Sequence, residues 1–186
     1  MELLKSSHEF FAGVVRSALS AHPLSLHDQT EFYLVQLLAE GGEHNDLDEP
    51  LSLKLAQAEG AEPHTRAQLL REIGDTALYV CGFFAESLAR RMVSVEYYMS
   101  LGGTAYYSLA HGGRAVSALL REVYGELAEK FPHLVELLSY ARQELALQGS
   151  TNILRLYEQW RQAPSEHLAR RLRAAGLILP RTAEEN

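Results

Sequence analysis

TRAQLLREIGDTALYVCGFF, residues 65–84, is the stretch that decides the fold. Its apolar residues Leu69, Leu70, Ile73, Ala77, Val80, Cys81 and Phe84 recur at intervals of three and four, the spacing that aligns side chains along one side of a helix. A helix over 65–84 is therefore expected at the centre of the core. Arg71, Glu72, Asp75 and Thr76 fall on the other side, and Arg71 with Asp75 has the spacing of a surface ion pair worth about 0.3 kcal/mol. Glu72 and Asp75 read either as paired carboxylates in a cleft or as a solvated face.

The segments on both sides of this helix follow the same pattern. β-branched residues are scarce while Leu, Ala, Glu and Arg abound, so propensity favours helix wherever glycine and proline do not intervene. A helix is expected over 2–21, burying Leu3, Leu4, Phe10, Phe11, Val14 and Leu19 and ending ahead of Pro23. Ser25 followed by Asp28 resembles a capping box opening the next helix, whose apolar positions are Phe32, Leu34, Val35, Leu37 and Leu38 and which Gly41 and Gly42 stop. Pro50 suits the start of a short helix ending at Gly60. Beyond the central helix, Ser94 caps a helix from Val95 to Ala110, and Gly112 and Gly113 mark a bend. Helices over 114–131, 133–148, 151–162 and 165–176 complete the set. The expectation is all-α: a single helical bundle of about seven to nine helices over 1–179, with a flexible tail over 180–186.

Composition limits the function classes. The 186 residues are 47% hydrophobic and 22% charged, the balance of one globular domain that buries its own core. A formal net charge of -7 gives no global attraction to phosphate, so nucleic-acid binding is disfavoured. The single cysteine, Cys81, cannot pair within the chain, which fits a reducing cytoplasm. No apolar run reaches the ~18 residues of a membrane span.

Charge is unevenly placed. Glu43, Asp46 and Asp48 lie in a turn-rich acidic stretch, EHNDLDEP, whereas Arg170, Arg171 and Arg173 gather near the end of the chain. These two groups are candidate surfaces for a protein partner or for a second copy in a homodimer.

The segment YYMSLGGTAYYSLAHGG, 97–113, offers the other candidate. On one continuous helix, Tyr98, Gly102, Ala105, Tyr106 and Leu109 share one face, and Tyr97, Leu101, Thr104, Tyr107 and His111 another. Glycine within a helix costs about 1 kcal/mol relative to alanine, so Gly102 and Gly103 imply close packing, a kink, or room for a ligand. A cleft using Tyr97, Gly103, Tyr107 and His111, with Arg91 at its rim and Asp75 across from it, suits a small anionic ligand with a flat ring. Tyrosines edging the core are the structural alternative.

Motifs of catalysis are missing from the sequence. No Glu-x-x-His, His-Glu-x-x-His, paired-cysteine, phosphate-loop or Gly-x-Ser-x-Gly pattern occurs, so no cofactor or metal is expected. The eight histidines are scattered; His27 with Asp28 and Glu31, or His44 with Asp46 and Asp48, offers at most adventitious metal ligands. Cys81 sits on the apolar stripe, where a small buried hydrophobe is the ordinary role. The expected function is that of a non-enzymatic interaction or regulatory (adaptor) protein; the alternatives are the tyrosine-lined cleft and, third, nucleic-acid contact through the C-terminal arginines.

TEFYLVQLL (30–38), LREIGDTALYVCGFFAESLARRMVSVEYYMSLGGTAY (70–106) and LARRLRAAGLILP (168–180) together resemble an uncharacterised family of small bacterial all-helical cytosolic proteins, usually labelled hypothetical. The resemblance spans most of the chain and implies a bacterial source and a whole-chain domain. It transfers no activity and no site residue.

Overall fold

A computed structural model describes residues 5–40, 50–85, 88, 93–147, 151–163, 165–174 and 177–178. Among these residues the fold is all-α, with nine α-helices: α1 (Ser7–Ala21), α2 (Asp28–Glu40), α3 (Leu51–Glu59), α4 (Pro63–Phe83), α5 (Val95–Ala110), α6 (Ala118–Glu129), α7 (Phe131–Leu147), α8 (Thr151–Gln162) and α9 (Glu166–Ala174). A single 3-10 turn, Gly113–Ala115, precedes α6. Two short strands, β1 (Lys5–Ser6) and β2 (Leu177–Ile178), pair in parallel and join the two ends of the described chain. The expected tail over 180–186 lies outside the described residues.

Helix α4 is the axis. It packs against α3, α5 and α7, and touches α2. With neighbours on so many sides, every residue from Ile73 to Phe83 is buried. This corrects the expectation of a solvated side: Asp75 and Thr76 are 8% and 2% exposed, and Arg71 with Asp75 is not a surface pair. Spacing within α4 identified a stripe, but how many helices surround it is set by the rest of the chain. The buried apolar residues, from Phe11 on α1 to Leu177 on β2, form one cluster.

Local signals place the helix ends. Pro63 occupies the first turn of α4, where its missing N–H is not needed. The Ser94 hydroxyl accepts from the Tyr97 N–H at 3.1 Å and caps α5 as expected. Ser117 caps α6 and Ser165 caps α9 in the same way, each accepting an N–H at 3.3 Å. Gly113 takes a positive φ of 62°, the left-handed turn that reverses the chain between α5 and α6. Pro132 falls within α7 rather than ahead of it, because the first turn of a helix tolerates proline.

The split of α5 into two faces holds. Tyr98, Gly102, Ala105, Tyr106 and Leu109 are its buried residues. A Cβ on Gly102 would lie 2.5 Å from the Phe131 ring and 2.7 Å from the Ala77 Cβ, so this glycine permits close packing of α5 on α4 and α7. Gly103 has nothing nearer than 4.0 Å, so close packing accounts for the first glycine of the pair and not the second.

Candidate functional site

Asp75 sits where four helices meet. Tyr33 of α2 and Tyr106 of α5 both donate their hydroxyls to its Oδ1 at 2.7 Å, and Arg71 Nε reaches Oδ2 at 3.3 Å. Tyr124 of α6 is hydrogen-bonded to Tyr33, stands edge-on to its ring at 5.6 Å, and stacks on Tyr106 at 5.7 Å. The arginine also lies 5.8 Å over the Tyr33 ring. Gly74 makes room for this arrangement: a Cβ there would lie 2.5 Å from the Tyr106 ring.

Burial raises the Asp75 carboxyl above the ordinary carboxylate range, while hydrogen bonds from Tyr106 and Tyr33 and the charge of Arg71 act in the opposite sense. Burial and the neighbouring Asp75 push the Tyr33 and Tyr106 hydroxyls upward, so both stay protonated donors. Each donor meets an acceptor, and the cluster ties α2, α4, α5 and α6 together.

The residues proposed to line a cleft on α5 are not gathered. Tyr97 and Tyr107 are 45% and 60% exposed, and His111 is exposed beside Tyr107, its ring 4.3 Å away and its Nδ1 2.8 Å from the Tyr107 carbonyl oxygen. Gly103 is half-buried near Phe131. Asp75 is interior and bonded to Tyr106, not Tyr107. Arg91 lies outside the described residues, as do Glu43, Asp46 and Asp48. Arg170, Arg171 and Arg173 are exposed on α9; Glu166 lies 4.0 Å from Arg170 and 3.1 Å from Arg173.

A concavity absent from the sequence-based expectations lies between the start of α2 and α6. About 500 Å³ in volume, it is lined by residues that include His27, Gln29, Thr30, Leu119, Glu122, Val123, Glu126 and Glu129. One end of it is built around Glu126, a buried carboxylate. The His27 backbone N–H donates to Glu126 Oε2 at 3.1 Å, the His27 Nδ1 lies 3.0 Å from the same oxygen, and Lys130 Nζ donates to Oε1 at 2.7 Å and to the Ser25 carbonyl at 2.8 Å. Burial opposes the charge, yet hydrogen bonds from Lys130, Thr30 and His27 outweigh it and draw the Glu126 carboxyl down to about 2. The first turn of α2 is thus held by a distant carboxylate, where a local capping box had been expected.

Glu122 and Glu129 are exposed at the groove, and Leu119 is 54% exposed. The sequence did hold a signal for this surface: positions 122, 126 and 129 share one helical face, and Lys130 follows Glu126 by four. A smaller hollow of about 210 Å³ on the other side of α2 is lined by His8, Arg16, Glu31 and Phe32 among others.

Cys81 is buried, and burial, with the nearby Glu96 charge, pushes its thiol up to about 12. This is the environment of an inert side chain. Among the described residues, no group of three or more His, Cys, Asp or Glu side chains could hold a metal ion, and no helix is long and apolar enough to cross a membrane. No family model, curated protein or solved structure matches the chain.

Proposed function

We propose that the protein acts by contact with a partner, as a helical adaptor or regulatory subunit, and that the groove between α2 and α6 receives a basic amphipathic segment of that partner. The observation behind this reading is the pairing of an exposed leucine with two outward carboxylates, Glu122 and Glu129, on a wall that Glu126 and Lys130 bond to His27 and Ser25. An arginine suits such a wall: its aliphatic stem covers apolar surface while its guanidinium meets a carboxylate. A preformed groove also lowers the ordering cost of binding.

The tyrosine-lined cleft has less support, since Asp75 is saturated inside the core while Tyr97 and Tyr107 face outward. The test is fluorescence anisotropy with a labelled helical peptide carrying arginines and leucines on one face. Binding that weakens about tenfold or more in Glu122→Gln/Glu129→Gln supports the reading. Equal binding by the wild type and this variant, or none by either at low salt, overturns it.

A further inference from the structure

We infer that the segment received by the groove is α9 of a second copy of this chain. The inference rests on the reading of the groove as a receptor and names its occupant. Helix α9 turns Ala169 and Leu172 inward, 4% and 0% exposed, and leaves His167, Arg170, Arg171 and Arg173 on its outer side. Glu166 is the carboxylate paired with Arg170 and Arg173, so one negative charge is set against two arginines, and Arg171 adds a third positive charge. On a chain of net charge -7 this is a concentrated basic face.

The groove presents the complement. Glu122 and Glu129 stand outward along α6, while the positive Lys130 is engaged by Glu126 and the Ser25 carbonyl. Within one chain α9 packs on α8 and β2, whereas the groove is built by α2 and α6. Arginine stems from the second copy lie over Leu119 and Val123, with their guanidiniums against the two carboxylates. Each chain then carries one basic donor face and one acidic acceptor groove. Such an interface, dominated by exposed charge, is salt-sensitive and modest in affinity.

The experiment is sedimentation of the full chain in two charge-reversed forms, with circular dichroism to verify folding. The donor-reversed form carries Arg170→Glu, Arg171→Glu and Arg173→Glu; the acceptor-reversed form carries Glu122→Arg and Glu129→Arg. All five positions are exposed, and Glu126 is left intact because it holds α2. The expected result is a self-associating wild type whose association weakens about tenfold from 50 to 300 mM salt, and two variants that are each monomeric. Mixed in equal amounts, the two variants restore a dimer, because the intact groove of one meets the intact α9 of the other. A wild type that stays monomeric at low salt and high concentration overturns the inference, as does association that persists in both variants. A monomeric wild type that still binds the arginine peptide would overturn only the choice of occupant, whereas loss of peptide binding as well would remove the groove reading.

Discussion

Gly102 and Gly103 are adjacent in sequence and opposite in consequence. Alanine at 102 would drive a methyl into Phe131 and Ala77, so Gly102→Ala is expected to lower stability by about 1–3 kcal/mol in denaturant unfolding. Alanine at 103 would place its methyl 4.0 Å from Phe131, an ordinary contact within a helix, and Gly103→Ala is expected to raise stability by about 0.5–1 kcal/mol. Asp75 gives a second contrast. Asp75→Asn keeps an oxygen for the Tyr33 and Tyr106 hydroxyls, whereas Asp75→Ala leaves two buried donors without an acceptor. The alanine variant is therefore expected to be less stable than the asparagine variant by about 1–3 kcal/mol, read from the same unfolding curves. Cys81, buried with its thiol raised to about 12, is expected to resist thiol reagents in the native state and to react on unfolding.

At the scale of elements, α2 depends on α6 for its first turn. The Glu126 carboxyl is lowered from 4.5 in the unfolded chain to about 2 when folded, so its contribution is fully present above pH 4.5 and is lost as pH falls through about 2. Thermal melts of wild type and Glu126→Gln are expected to differ most above pH 4.5 and to converge towards pH 2. The elements themselves were largely legible, because helical periodicity and glycine, proline and serine boundaries act over a few residues. That local code located α4 and α5, and even the buried face of Tyr98, Gly102, Ala105, Tyr106 and Leu109. Contacts made across helices were not legible. The spacing shows the pairing of Asp75 with Arg71 but not its burial, because Tyr33 and Tyr106, its other partners, stand 42 and 31 positions away. Glu126 went unnoticed for the same reason, its role being fixed by His27, 99 positions back.

At the scale of the whole molecule, charge and connectivity matter more than any single contact. Acidic and basic faces lie on different helices, and the proposed docking of one on the other predicts a self-association that weakens as salt rises. The C-terminal helices also bind the N-terminal half through polar contacts: the Tyr157 hydroxyl donates to the Ala39 carbonyl, and Arg161 donates to the Tyr79 hydroxyl at 3.1 Å. The parallel pairing of Lys5–Ser6 with Leu177–Ile178 goes further, closing nearly the whole chain into a ring for the sake of a two-residue ladder. Loop-closure entropy grows with the length enclosed, so this junction forms after the helical core has already brought the two ends near each other. Its amides are expected to exchange hydrogen well before those of α4. A circularly permuted chain, with these ends joined by a short linker and new termini opened elsewhere, would turn the last contact to form into a covalent neighbour.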